Sequence, residues 1–283
     1  MARSNSGIYF IAEAGINHNG DLDTALKLVK MASDAGCDAV KFQKREPSIC
    51  VPLHMRNQIR ETPWGDITYL EYKQKIEFGK VQFDEIDQYC RTLGIDWSAS
   101  AWDIPSLRFL EQYDIAFNKV PSALTTNLDF LCEVAKSKKL TYVSIGMCEY
   151  ADIDRAVAIF QSANCPLVLM HTISNYPASE ADLNLRMIET LIERYNVPVG
   201  YSGHESSITP SIVAATLGAV AIERHITLDR AMWGTDHAAS LEFSGLRNLV
   251  GSINKVRLVM GDGVKKKVPG EDEIAMKLRY WTN

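Results

Sequence analysis

The first regular segment of the chain runs from residue 8 to residue 20 and reads IYFIAEAGINHNG. Its first seven residues are mostly apolar, with β-branched and aromatic side chains, and predict a buried strand over residues 8–14. A polar, glycine-containing turn follows. It lacks the G-x-G-x-x-G spacing that usually follows the first strand of a nucleotide-binding, doubly wound sheet. This turn therefore favours a closed α/β barrel over an open sheet.

The alternation of short apolar runs with helical patterns continues through the rest of the chain. Strands are predicted at residues 8–14, 39–43, 95–99, 115–119, 141–145, 167–171, 197–201 and 219–225. Helices are predicted at residues 22–35, 83–93, 105–113, 128–137, 153–162, 185–195, 210–217 and 241–259. Strict alternation implies a parallel sheet with right-handed crossovers, and eight such units predict a (β/α)8 TIM barrel.

The domain organisation follows from the length of 283 residues, which suits one barrel domain. We place the catalytic barrel at residues 1–263 and a charged tail at residues 264–283, interpreted as a strap on the barrel or on a partner subunit. The connection over residues 44–80 is too long for a simple turn, and residues 69–78 within it predict a short amphipathic helix. It is either a lid or substrate loop, or a surface excursion without function.

Composition excludes several classes of protein. The hydrophobic fraction of 46% and charged fraction of 23% are typical of a globular protein. A net charge of −5 provides no broad basic field for nucleic acid, and no run approaches the roughly 18 apolar residues of a membrane span. The amino terminus lacks a signal-peptide pattern, so we expect a cytoplasmic protein. The six cysteines have no C-x-x-C spacing, and we expect free thiols with structural roles.

Polar residues stand at or just after the predicted end of every strand. They are Glu13, Lys41, Gln43, Ser98, Ser100, Lys119, Ser122, Ser144, His171, Ser174, Tyr176, Ser202, His204, Glu223 and His225, with Asn17 and His18 just beyond the first strand. The carboxyl ends of barrel strands form the active site in this fold. Because burying so many polar groups without a ligand is costly, the pattern predicts a site for a polar ligand.

Two histidines, His204 and His225, end the neighbouring seventh and eighth strands. Neutral imidazoles at adjacent strand ends suit a divalent transition metal, with Glu13 or Glu223 in or near its coordination sphere. The alternative is a pair of ordinary hydrogen-bonded histidines. A two-histidine site would leave coordination positions open, as a catalytic metal requires.

Lysines and serines at other strand ends form a plausible cradle for phosphate and carboxylate groups. Lysine supplies charge and serine hydroxyls donate directional hydrogen bonds. The residues are Lys41, Lys119, Ser100, Ser122, Ser144, Ser174 and Ser202. A single serine is more often a helix cap or a turn residue, but two lysines at buried strand ends need a counter-charge.

Several of these segments resemble the sialic acid (N-acetylneuraminate) synthase family. The resemblance lies in residues 13–20, 40–43, 171–177, 200–204, 222–230 and 234–241, which occur in the family's order between about residues 8 and 263. It implies a barrel that binds phosphoenolpyruvate, a divalent metal and an open-chain sugar aldehyde. The expected metal is Mn²⁺, with Mg²⁺ and Co²⁺ as alternatives.

The resemblance also implies a reaction. C3 of phosphoenolpyruvate attacks the aldehyde of an N-acylhexosamine or related sugar, water adds at C2, and phosphate leaves. The product is a 2-keto-3-deoxy sugar acid, so the chain is expected to be a carbon–carbon bond-forming transferase. A homodimer is expected by the same resemblance.

Roles carry over to matching positions of this sequence. The metal ligands would be His204 and His225. Phosphoenolpyruvate would be held by Lys41, Ser100, Lys119, Ser122, Ser144, Ser174 and Ser202. The sugar would contact Gln43, Tyr176 and Asp236, and the catalytic residues would be Glu13, Lys119 and Asp236.

The chain departs from the family pattern in three places. Relatives usually carry a small antifreeze-like domain after the barrel, whereas this sequence ends at Asn283, and we expect the barrel domain only. Gly203 stands where many relatives have Asp, and Leu124 lies where relatives often place Glu. The acceptor sugar is therefore not carried over.

Three alternatives remain open from the sequence. The nearest is a related synthase that acts on another aldose and forms a seven- or eight-carbon sugar acid. A metallohydrolase would need a richer ligand set, such as H-x-H on the first strand, and His18 lies outside such a motif. A non-catalytic sugar-acid sensor would be expected to have lost some of the lysines or histidines.

Overall fold

The computed structural model describes residues 7–282, and this part of the chain contains ten strands and eleven α-helices. The strands are β1 (Tyr9–Gly15), β2 (Ala39–Lys44), β3 (Ile59–Thr62), β4 (Gly65–Thr68), β5 (Asp96–Ala101), β6 (Asn118–Val120), β7 (Thr141–Ser144), β8 (Leu167–His171), β9 (Val199–Gly203) and β10 (Ala221–His225). The helices are α1 (Leu22–Ala35), α2 (Pro47–Cys50), α3 (Tyr69–Ile76), α4 (Lys80–Leu93), α5 (Ile104–Leu110), α6 (Leu128–Ala135), α7 (Tyr150–Ser162), α8 (Met187–Tyr195), α9 (Thr209–Thr216), α10 (Phe243–Met260) and α11 (Glu271–Leu278).

Eight of the strands form a closed parallel barrel in the order β1-β10-β9-β8-β7-β6-β5-β2. Strand β1 closes it, because Glu13 lies opposite Lys41 of β2 on one side and opposite His225 of β10 on the other. The predicted (β/α)8 barrel is confirmed. The remaining strands, β3 and β4, form a separate antiparallel hairpin.

The ends of the predicted elements differ from the observed ends by at most three residues. The strand predicted at 115–119 is observed at Asn118–Val120, and the helix predicted at 83–93 begins at Lys80. Strand and helix ends depend on the last hydrogen bonds of each element, which the apolar pattern does not specify.

The barrel interior changes from apolar to polar along its axis. An apolar cluster includes inward-facing residues near the amino-terminal ends of several strands, and two residues further on the same strands carry charged side chains. The pairs are Ile11 and Glu13, Ala39 and Lys41, Phe117 and Lys119, and Ala221 and Glu223. Residues two apart in a strand share a face, so a packed apolar layer supports a charged layer above it.

The segment between β2 and α4, the insertion, folds as α2, the β3–β4 hairpin and α3. The predicted helix is present as α3, but the hairpin was not predicted because its short strands lack an apolar alternation. Tyr72 and Ile76 of α3 pack with Ile16, just after β1, and with Trp233, in the loop after β10. Both partners lie beyond the carboxyl ends of barrel strands, so the insertion borders the mouth of the barrel.

The tail does not pack on the barrel, which corrects one of its two interpretations. No residue of α11 is buried, and Tyr280 and Trp281 are 84% and 67% exposed. Packing on a partner subunit stays a prediction.

All six cysteines lie in the described part of the chain and are free thiols, as predicted. Cys37, Cys90 and Cys165 are buried, whereas Cys132 is exposed and has no core role, contrary to the structural role expected of all six cysteines. Among residues 7–282, none of the helices combines the length and apolar character that crossing a membrane would require.

Candidate active site

A cavity of about 200 Å³ opens at the carboxyl ends of the barrel strands. This volume lies below the roughly 300–1,000 Å³ typical of sites for drug-sized ligands, so the cavity suits small substrates. Twelve residues that the sequence assigned to the site line it: Glu13, Lys41, Gln43, Ser100, Lys119, Ser122, Ser144, Ser174, Tyr176, Ser202, His204 and His225. The structure thus brings together residues from all eight barrel strands or the loops that follow them.

The floor of the cavity is a buried network of two lysines and two carboxylates. Lys41 pairs with Glu13 and lies 3.7 Å from Glu223, while Lys119 lies 3.2 Å from Glu223. Although burial favours the protonated acid, Lys119, Lys41 and His225 lower the pKa of Glu223 to about 2. Glu223 is therefore an anion and, together with Glu13, supplies the counter-charge that the two lysines need.

Lys119 is itself affected by the network. Burial lowers its pKa, and the charge of Lys41 lowers it further, whereas Glu223 and Glu13 raise it. An arriving phosphate or carboxylate would therefore meet two buried ammonium groups that Glu223 holds close together.

The serine hydroxyls are distributed around this floor. Ser100 accepts a hydrogen bond of 2.9 Å from Lys41, and Ser202 donates one of 3.0 Å to Glu223. Ser122 accepts a hydrogen bond of 3.1 Å from the backbone amide of Gly146. A Cβ atom on Gly146 would lie 2.9 Å from the Ser122 hydroxyl and closer still to that of Ser174. The absence of a side chain there lets these hydroxyls converge on the cavity.

His204 and His225 stand side by side, with ring centroids 5.5 Å apart. Nδ1 of His204 lies 2.7 Å from the carbonyl oxygen of Ile173, so this nitrogen donates its proton and Nε2 is left as the ligand atom. Burial, and then the neighbouring His225, lower the pKa of His204 to about 3, and the ring is neutral as metal binding requires.

The second imidazole also fits a metal site. Nδ1 of His225 is buried and has no hydrogen-bond partner in the described structure, an arrangement that a bound ion would relieve. No group of three or more His, Cys, Asp or Glu side chains among residues 7–282 is placed to hold an ion. The protein would therefore supply two imidazoles and leave the other positions to water or substrate.

Among the residues to which the family resemblance gives a catalytic, substrate-binding or metal-binding role, Asp236 is the one that does not line the cavity. Burial disfavours its charged form, but His225, Thr235, Lys73 and Arg45 lower its pKa overall, so the carboxylate is ionised. Asp236 therefore lies near His225, although it is outside the lining of the cavity. Tyr176 lies over His204 with ring centroids 4.0 Å apart and is 45% exposed.

Other polar residues near strand ends are not part of the site. His18 stacks on Phe78 at 3.9 Å between ring centroids, and burial lowers its pKa to about 3. His171 points away from the cavity, where Nε2 lies 2.7 Å from the carbonyl oxygen of Leu183. Asn17 donates to the Ile226 carbonyl and to Ser240. These residues hold loops together.

Sequence reasoning gave Glu223 only a possible place near the metal, whereas the structure makes it the centre of the lysine network. Glu223 lies two residues before His225 in β10, so both side chains face the barrel interior. This spacing could have indicated that Glu223 belongs to the site. Trp102, Met147 and Thr172 also line the cavity and were not predicted.

Two departures from the family pattern have local explanations. A Cβ at Gly203 would lie 2.6 Å from a carboxylate oxygen of Glu205 and 2.8 Å from the Tyr201 ring, so Glu205 occupies the space of a side chain at 203. Leu124 lies in a short 3₁₀ turn and packs against the core.

The comparisons of this chain with known protein families, sequences and structures agree with one another. A model of the NeuB family matches residues 28–265. Human N-acetylneuraminate-9-phosphate synthase is 36% identical over 93% of this chain and 74% of the human protein. N,N'-diacetyllegionaminic acid synthase of Campylobacter jejuni is 35% identical over 93% of this chain and 80% of its own length. A crystal structure of N-acetylneuraminic acid (sialic acid) synthetase from Leptospira borgpetersenii has a TM-score of 0.85 and 31% identity, covering 98% of this chain and 94% of that one.

Proposed function

The chain belongs to the NeuB family of sugar-acid synthases, and on that premise we propose that it condenses phosphoenolpyruvate with an open-chain sugar aldehyde. A new bond joins C3 of phosphoenolpyruvate to the aldehyde carbon, and the aldehyde oxygen gains a proton. Water adds at C2, the bond from C2 to the phosphate-bearing oxygen breaks, and inorganic phosphate leaves. The product is a 2-keto-3-deoxy sugar acid.

One observation carries this proposal: two buried lysines, Lys41 and Lys119, share their counter-charge with Glu13 and Glu223 on the floor of a cavity lined by hydroxyls. Phosphoenolpyruvate carries a phosphate and a carboxylate, and both groups match lysine charge and serine donors. Lys41 and Lys119 would hold these groups, with Ser100, Ser122, Ser144, Ser174 and Ser202 around them.

The remaining residues would handle the acceptor and the proton transfers. Gln43 donates a hydrogen bond of 3.2 Å to Glu13, which orients that carboxylate toward the cavity. Glu13 would then position the attacking water or accept its proton. Tyr176 packs against both histidines, and the electrostatic neighbours of Asp236 include His225. Both side chains would contact sugar hydroxyls. Ionised Asp236 would accept hydrogen bonds there and stabilise positive charge.

His204 and His225 would hold a divalent metal, for which Mn²⁺ is our first expectation and Mg²⁺ or Co²⁺ the alternatives. Such an ion, when bound, supplies Lewis-acid polarisation of an aldehyde oxygen. The two imidazoles themselves fix where the acceptor's aldehyde can lie, because they flank Tyr176 and Glu223.

The test is the consumption of phosphoenolpyruvate and the formation of a 2-keto-3-deoxy acid with Mn²⁺ and a panel of aldoses. The panel includes N-acetylmannosamine, mannose and arabinose 5-phosphate. Turnover with one aldose is expected, with a loss of at least a hundredfold in EDTA and in His225→Ala. His54→Ala, a change at an exposed residue of the insertion, is the matched control and should keep full activity.

Metal binding is measured separately, by titrating Mn²⁺ into wild type and His225→Ala. Folded, metal-loaded protein that consumes no phosphoenolpyruvate with any acceptor would contradict the proposal. Activity that is unchanged in His225→Ala would contradict the assigned metal site.

A further inference from the structure

Three cations lie beyond the cavity on the side of the insertion: Arg45, Arg60 and Lys73, here called the cationic cluster. Among the described residues, none of the three side chains has a carboxylate within ion-pair distance. Neighbouring Lys44, in contrast, pairs with Glu77 at 2.7 Å. Cations that are partly buried and lack a direct partner are unusual and suggest a ligand.

Aromatic rings hold two of these cations in place. The guanidinium of Arg60 and the ammonium of Lys73 each lie 5.0 Å from the ring centroid of Tyr72, which is itself buried. Arg60 also lies 5.6 Å from the Trp233 ring, and Lys73 lies 5.4 Å from the Tyr69 ring. Cation–π contacts orient a charge but do not neutralise it.

The cluster borders the candidate active site. The Arg45 guanidinium lies 4.0 Å from the ring of Trp102, which lines the cavity. Burial, and then the charge of Arg45, lower the pKa of Lys73 to about 8 although Asp236 opposes the shift, so these charges are close enough to influence each other. Arg45 therefore lies at the edge of the cavity, with Lys73 and Asp236 near it.

The charges of this region do not cancel. Four cations, the three of the cluster and Lys44, face two nearby carboxylates, Glu77 and Asp236, which leaves an excess of about two positive charges. A phosphate monoester carries about −1.5 to −2 charges at pH 7 and accepts several hydrogen bonds, which matches the excess. In the proposed function the phosphate of phosphoenolpyruvate is held by Lys41 and Lys119 on the cavity floor. The excess positive charge of the cationic cluster is then available to the other substrate.

We propose that Arg45, Arg60 and Lys73 form a subsite for a phosphate at the far end of the acceptor sugar, so that the acceptor is an aldose phosphate. This inference rests on the proposed function, since it names the acceptor class of the same site. Sequence similarity alone leaves the point open, because the human relative is named for a 9-phosphate product and the Campylobacter jejuni relative is not.

The kinetic test uses matched acceptors with and without a terminal phosphate: N-acetylmannosamine and its 6-phosphate, and mannose and its 6-phosphate. Wild type is expected to show a KM at least tenfold lower for the phosphorylated member of the pair it uses. Arg60→Met and Lys73→Met, which keep an apolar stem on Tyr72, should each raise that KM at least tenfold and leave the KM of phosphoenolpyruvate unchanged.

The control variant is Lys75→Met, because Lys75 lies on the same helix but faces Trp64 at 5.3 Å and is exposed. It should leave both KM values unchanged. Lys73→Gln serves as a second variant if Lys73→Met does not fold, as judged by circular dichroism. Equal use of both members of a pair, or an equal rise of both KM values in the variants, would overturn the subsite.

A calorimetric titration separates this inference from the proposed function. If no acceptor is turned over, hexose 6-phosphates are titrated into wild type and Lys73→Met. Binding that is at least tenfold weaker in the variant would retain the subsite while the proposed reaction fails. An absence of binding to wild type, or equal binding to both proteins, would reject the subsite.

Discussion

Glu205 and Arg224 are charged residues, with fully buried side chains, directly beside the candidate metal ligands in sequence. Glu205 follows His204, Arg224 precedes His225, and the two form an ion pair of 2.9 Å. Tyr201 donates a hydrogen bond of 2.8 Å to the same carboxylate. This pair ties the ends of β9 and β10 together behind the cavity and so positions both imidazoles.

Glu205→Gln is expected to destabilise the protein by about 3–5 kcal/mol, because it leaves the buried Arg224 guanidinium without its counter-charge. Urea unfolding followed by circular dichroism measures the change. The matched control is Asp154→Asn, which removes the exposed Arg194–Asp154 pair and should not shift the unfolding midpoint. Equal shifts of the midpoint in the two variants would mean that burial does not determine how much the Glu205–Arg224 ion pair contributes to stability.

At the scale of elements, helix α3 reaches the barrel through a close backbone contact. Gly20 has φ +78°, a left-handed conformation, and a Cβ there would lie 2.5 Å from the carbonyl oxygen of Lys75. Backbone from the β1–α1 loop therefore meets backbone from α3 without a side chain between them. The contact holds the insertion, and with it Lys73, over the mouth of the barrel.

Gly20→Ala is expected to cost about 2–5 kcal/mol, from left-handed strain plus the collision with Lys75. Gly65→Ala is the control, since Gly65 also has a positive φ of +96° but nothing lies within 4 Å of a Cβ there. That variant should lose only about 1–2 kcal/mol. Denaturant titration measures both, and equal losses would mean that α3 is not held through this contact.

At the scale of the whole molecule, removing the exposed tail tests whether the tail contributes to the stability of the barrel. A chain that stops after Gly263 should keep the wild-type Tm within about 2 °C, because none of the residues in α11 is buried. Differential scanning calorimetry measures this. A fall of 5 °C or more would show that the tail contributes to the barrel.

The same truncated chain tests the predicted homodimer by size-exclusion chromatography with light scattering. If the tail packs on a partner subunit, wild type should be a dimer and the truncated chain a monomer at equal concentration. A dimer in both cases would place the subunit contact elsewhere.

The sequence predicted the barrel and most members of its cavity from local patterns. The alternation of apolar runs predicted eight strands, and polar residues after those runs, such as Lys41, Lys119 and His225, predicted a ligand site. Ends of strands, the β3–β4 hairpin and the position of the tail were missed or misjudged. These depend on hydrogen bonds and packing between segments that the pattern of one segment does not contain.

Which polar strand-end residues face the cavity was decided by the tertiary structure alone. His171 ends β8 and His204 directly follows the neighbouring strand β9, yet His171 bonds to the Leu183 carbonyl and His204 lines the cavity. The approach of residues 45, 60 and 73 to one another was likewise invisible in the sequence. Both outcomes depend on contacts between segments distant in the chain, whereas the strand count depends only on the apolar periodicity of each segment.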